Sequence, residues 1–107
     1  MVVTHALARA GELAMVRRQA EGRETSSDAV WHDAVHGVLW RRDVPDEAPD
    51  PSRRHVSGHT PRRRARRLLR GRMLQIDTGC VYGGRLTAWC VEAERVISVP
   101  ARQVWWG

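Results

Sequence analysis

Apolar positions along the chain change period three times. Val2-Val3-Thr4 is a short β-branched run that predicts the end of a strand. From Ala6 to Ala20, Leu7, Ala10 and Ala14 fall on one face with Leu13, Val16 and Ala20 beside it, which is helical spacing with Gly22 as a stop. A second helix is expected through Trp40, capped by Ser27 or Asp28, with Val30, Ala34 and Val38 in register and Gly37 as its weak point. Residues 44–54 hold Pro45, Pro49 and Pro51 among acidic side chains and read as a loop. His55-Val56-Ser57 is a short strand ending at Gly58, and Thr60-Pro61 suits the start of a helix running to Gly71. Arginines 62, 63 and 64 would crowd the positive end of that helix. Met73 to Ile76 is strand-like, and Leu86–Val91 with Arg95–Val99 predicts a hairpin around Ala93. The expected class is α/β in one domain over residues 1–107, with early helices and a C-terminal β-hairpin.

Charge adds a second theme. The chain of 107 residues carries 18 arginines, no lysine and a net charge of +6. Seven of those arginines lie between Arg62 and Arg72. The segment at 61–72 therefore suggests a basic module for nucleic acid or another polyanion, set against the plainer reading of a solvated arginine-rich loop. Cys80 and Cys90 are too few for a disulfide scaffold and lack a CxxC spacing, so a reduced pair is expected. No apolar run reaches membrane-spanning length, and Met1 to Ala6 lacks the basic start and apolar stretch of a signal peptide. A cytoplasmic location without a membrane partner is the expectation.

Several segments, in order, carry a family likeness. Val2-Val3-Thr4-His5-Ala6, Leu39-Trp40-Arg41-Arg42-Asp43, His55-Val56-Ser57-Gly58-His59-Thr60-Pro61 and Ile76-Asp77-Thr78-Gly79-Cys80-Val81-Tyr82-Gly83-Gly84-Arg85-Leu86-Thr87-Ala88 resemble the C-terminal half of the calcineurin-like metallophosphoesterases of the phosphoprotein-phosphatase type. Bacterial members of that family include symmetrical diadenosine tetraphosphatases, phage-type serine/threonine phosphatases and the phosphatase modules of polynucleotide kinase-phosphatases. Val96 to Arg102 is similar to the family's closing strand. The Ile76–Ala88 run is the specific part; Gly-His-Thr-Pro alone would be weak.

The resemblance implies a partial metallophosphoesterase-type β-sandwich with flanking helices. It implies His5 and His59 as ligands of a divalent metal, manganese, iron or zinc. Arg42 becomes a phosphate clamp, with adjacent Arg41 as its alternative, and Asp77 a site-proximal carboxylate or, in the plainer reading, a turn former. Gly79, Gly83 and Gly84 serve tight turns, and His55 is structural. The pair His32 and His36 has i, i+4 metal spacing but lacks the Glu of an HExxH pattern. Trp105 and Trp106 read as packing or tail residues. The family's Asp-x-His, Gly-Asp-x-x-Asp-Arg-Gly and Gly-Asn-His segments do not occur in these 107 residues. The expectation is thus a C-terminal fragment with little activity alone, acting on a phosphorylated substrate only if an N-terminal half completes it. Exposed strand edges would offer pairing to a partner chain or a second copy.

Overall fold

The computed structural model describes residues 1–9, 11–22 and 28–106. Its order is β1 (Val2–Thr4), α1 (Glu12–Ala20), α2 (Asp28–Trp40), β2 (His55–Ser57), β3 (Arg66–Leu68), β4 (Met73–Gln75), β5 (Arg85–Cys90) and β6 (Arg95–Pro100). Single 3-10 turns occupy Leu69–Gly71 and Cys80–Tyr82. Strands β1 to β4 form one mixed sheet in the order β1-β2-β4-β3; β5 and β6 form a separate antiparallel pair. No helix among the described residues is long and apolar enough to cross a membrane.

The sheet is built around β2 and β4, each of three residues and buried throughout. Parallel register aligns Thr4 with Ser57 and Ser57 with Gln75, the last row of the three strands. Burial on both faces removes the usual alternation, and it takes in the polar side chains of His55, Ser57 and Gln75 along with Val56, Met73 and Leu74. Leu7, Met73 and Ala48 make the packed core, with Leu68 and Leu69 against it. Full burial of side chains such as Leu7 and Met73 is worth roughly 1.5–3 kcal/mol each, which lets three-residue strands hold their register.

The first helix starts later than its periodicity predicts. Ala6, Leu7 and Ala8 are fully buried outside any helix, and the helix begins only after Gly11, whose φ of 88° breaks the backbone direction. Ala10 lies outside the described residues, as does Ser27, one of the two caps expected for the second helix. Helix α1 buries no residue; its Leu13 and Val16 line an open cleft beside Met1, Val2 and Val3. Gly37 in α2 has a packing reason. A Cβ there would sit 2.7 Å from Arg41 Nη2 and 2.8 Å from Glu12 Oε1, so the glycine makes room for the ion pair that ties α1 to the end of α2.

The helix expected from Thr60 to Gly71 does not form. Residues 61–65 run as a loop, Arg66–Leu68 pairs antiparallel with β4, and Leu69, Arg70 and Gly71 take φ of 49°, 56° and 85°. Two forces oppose the helix: arginines crowded at its positive end, and the greater gain from placing Leu68 and Leu69 on the core. The proline-rich 44–54 stretch is a loop, although Pro45 and Ala48 are buried. The terminal hairpin runs one residue wider at β5's start and at β6's end than its pattern suggests, with Glu94 in the left-handed region at its turn. Trp105 and Trp106 are exposed, their backbone N–H groups both donating to Val81 O at 2.8 Å. The two cysteines are free.

Candidate functional site

Because β1, β2 and β4 run parallel, their C-terminal ends meet at one edge of the sheet. Ligands of open α/β sheets collect at this edge. His5 directly follows β1. His59 stands two residues beyond β2, and Asp77 two beyond β4. Gly58 N donates to His5 O at 2.9 Å and Ile76 N to Ser57 O at 2.9 Å, so pairing continues past the strands and fixes the three segments.

The imidazoles of His5 and His59 touch. His5 Nε2 lies 3.1 Å from His59 Nδ1, with ring centroids 4.9 Å apart. Two nitrogens bound to one metal at about 2.0–2.1 Å are separated by roughly 2.9 Å at right angles and about 3.4 Å in a tetrahedron. The two nitrogens stand at hydrogen-bond distance, one ring's N–H toward the other's lone pair, and that spacing also lies within the range spanned by two ligands of a single cation. His59 adopts φ 71°, a left-handed conformation that costs a non-glycine residue roughly 1–2 kcal/mol. The conformation accompanies a ring turned toward His5 and set edge-on to Trp40, 5.3 Å away at 88°. Backbone strain of this kind is concentrated at functional sites. His59 Nε2 is buried without a hydrogen-bond partner.

Electrostatics bring in the two remaining candidates. The His59 pKa is lowered, first by burial, then by the neighbouring His5 and the positive charge of Arg42, against which Asp77 pulls upward. Each effect except the last favours the neutral, ligand-competent imidazole. Asp77 also closes a turn: its Oδ1 accepts the Gly79 N–H at 3.0 Å, and its carbonyl accepts the Arg62 N–H at 3.0 Å. These bonds are those of a turn-forming aspartate, whose charge also reaches His59. Asp77 and His5 line a depression of about 350 Å³ over Val3, Val56 and Leu86.

The alternatives at 41 and 42 separate cleanly. Arg41 forms a two-bond ion pair with Glu12, which raises its pKa chiefly through the hydrogen bond to that carboxylate. Arg42 is exposed and faces the histidine site with its charge. His32 and His36 lie exposed on α2, with His36 stacked toward Trp40 at 6.4 Å. Among the described residues, no group of three or more His, Cys, Asp or Glu side chains gathers to hold a metal. The residues present thus fit two ligands, short of a complete set.

His55 sits apart from the pair, on the buried side of β2. It is 1% exposed, its Nε2 bonds Thr4 Oγ1, and burial lowers its pKa. Sequence reasoning overlooked Trp40 as a wall of the site and Glu12 as the partner of Arg41. An acidic residue in the first turn of a helix was the available sign of the latter.

The chain is similar to asymmetrical bis(5'-nucleosyl)-tetraphosphatases named PrpE. The protein from Bacillus subtilis (strain 168) is 32% identical over 101 residues, 94% of this chain and 40% of the relative. The protein from Halalkalibacterium halodurans is 50% identical over 48 residues, 45% of this chain and 19% of its own length. That from Geobacillus sp. (strain WCH70) is 48% identical over 46 residues, 43% and 18% respectively. The chain spans two fifths or less of these curated relatives. No family model matches it.

Proposed function

We propose that this chain supplies the histidine-bearing part of a metal-dependent phosphoesterase site, with bis(5'-nucleosyl)-tetraphosphates as its substrate class. The observation that carries the reading is the 3.1 Å approach of His5 Nε2 to His59 Nδ1 at the shared end of two parallel strands. The likeness to named tetraphosphatases supports it and supplies the substrate class.

In this reading His5 and His59 hold one divalent cation, manganese, iron or zinc, through neutral imidazole nitrogens. A cation bound there would neutralise phosphoryl oxygen charge and lower the pKa of a coordinated water. Arg42 binds a phosphoryl oxygen through its planar guanidinium. Asp77 fixes the turn beside the pair and places a negative charge near His59. Trp40 restricts the His59 ring to one orientation. We read the mixed sheet and the hairpin as part of a metallophosphoesterase β-sandwich.

Two imidazoles and one nearby carboxylate do not make a bridged metal pair, so the 107-residue chain should turn over little substrate alone. The test is hydrolysis of bis(5'-nucleosyl)-tetraphosphate with manganese, by the chain alone and mixed with the remaining segment of the Bacillus subtilis relative. Activity in the mixture, abolished by His59→Ala, is the expected result. Hydrolysis by the chain alone that survives both His5→Ala and His59→Ala would reject the assignment.

A further inference from the structure

Outside the histidine site, the most unusual feature is a groove of about 600 Å³ between the 63–67 segment and the β5–β6 hairpin. Arg63, Arg64 and Arg67 line one side, and Arg85 of β5 lines the other, above Thr78 and Thr87. No carboxylate lines it. Four carboxylates pair with arginines outside it: Asp43 with Arg9, Glu12 with Arg41, Asp50 with Arg53 and Glu94 with Arg54. Among the described residues none of the four groove arginines forms an ion pair. Like charges gathered in this way repel one another unless an anion lies between them.

Two of the four are held in place. Arg85 Nε donates to Ser98 Oγ at 2.8 Å and its Nη2 to Ser98 O at 3.1 Å, which fixes the guanidinium plane along the groove wall. Arg67 lies over the Trp89 ring at 5.7 Å, with Arg54 over the same ring at 4.8 Å. The hydroxyls beneath are bonded to one another, Thr78 to Thr87 and Thr87 to Ser98, so the floor is rigid. Two of the arginines and the floor are thus ordered before any ligand arrives, which reduces the cost of binding.

We propose that this groove binds a linear oligophosphate, the chain common to inorganic polyphosphate and nucleoside oligophosphates. Guanidinium matches phosphate oxygens in paired hydrogen bonds, and opposed arginines suit a narrow anion with charge along its length. Single-stranded nucleic acid fits less well, because it binds through aromatic platforms open for base stacking and Trp89 is already engaged by two guanidiniums. The groove narrows the basic run at Arg62–Arg72 to three members and adds Arg85 from a different element. It shares Thr78, Arg85 and Thr87 with the depression that holds His5 and Asp77.

Calorimetric titration of the chain with inorganic tripolyphosphate and with a nucleoside triphosphate tests this, in chelator and low salt so that the metal site has no part. Saturable binding of tripolyphosphate is expected. It should weaken at least about tenfold in Arg63→Ser/Arg64→Ser, and less than about threefold in the charge-matched Arg95→Ser/Arg102→Ser. All four positions are exposed, and circular dichroism verifies folding. Equal affinities would identify the phosphate chain as the whole ligand; tighter nucleotide binding would identify a nucleoside oligophosphate. Absence of binding, equal loss in both double variants, or binding confined to a single-stranded oligonucleotide would overturn the proposal.

Discussion

The parallel sheet edge and the C-terminal hairpin obey opposite rules. Strands β1, β2 and β4 have three residues each, pair with partners distant in sequence, and in β2 and β4 bury every side chain. Strands β5 and β6 have six residues each, pair across a local turn, and leave Leu86, Ile97 and Val99 largely exposed. The hairpin is held by its own ladder of hydrogen bonds, whereas the sheet edge is held by the core beneath it. The site residues stand on the region whose position depends on packing, so metal binding there should report on the core, while the hairpin should tolerate change.

The largest effect should come from the core. Leu74→Ala, at a fully buried position of β4, should cost about 2–5 kcal/mol in urea denaturation and remove metal binding along with stability. Gly84→Ala comes next. A Cβ at Gly84 would lie 2.3 Å from Thr78 O and 2.9 Å from Gly79 O. These are backbone atoms that cannot swing aside, so a loss of about 1–3 kcal/mol is expected. A tight turn expected from sequence alone is thus explained by close backbone approach.

A smaller effect concerns pH. The folded-state pKa of His55 is lowered by burial, so folding favours its neutral form. That stability is fully present above the ordinary imidazole pKa, near 6.5, and is lost as pH falls from there through the lower folded value. The urea midpoint should therefore fall on acidification from pH 7.5 to 5, and His55→Gln should flatten that slope while lowering the midpoint overall. A steeper slope in the variant would contradict the assignment. The smallest effect should be Ile97→Thr on the exposed face of β6, within about 0.5 kcal/mol, with metal binding unchanged.

Legibility in the sequence followed the same division. The hairpin was readable to within a residue because its period and turn are local. Val2–Thr4 was readable as a β-branched run, and His55–Ser57 as a short strand ending at Gly58. The Arg66–Leu68 strand was not, since Thr60-Pro61 is a sound helix start and only the docking of Leu68 and Leu69 on a distant Met73 overrules it. Ala6–Ala8 carried helical spacing but serves as buried loop for the same reason. In the site, the motif resemblance named His5, His59, Arg42 and Asp77 as a group, and the sheet brings the first two into contact. The pairing of Arg41 was invisible, because its partner is Glu12, 29 positions away in sequence. The arginine groove was half visible: a run of charge announces itself, but Arg85 joins it only through the pairing of β5 with β6.

On the proposed reading, His5 and His59 hold one metal ion together. X-ray absorption at the zinc edge, on the chain loaded with a single equivalent of Zn²⁺, measures this directly. Two imidazole nitrogens at about 2.0–2.1 Å are expected, falling to one in either His5→Ala or His59→Ala. A spectrum showing the same number of imidazoles in both variants as in the unaltered chain would contradict it.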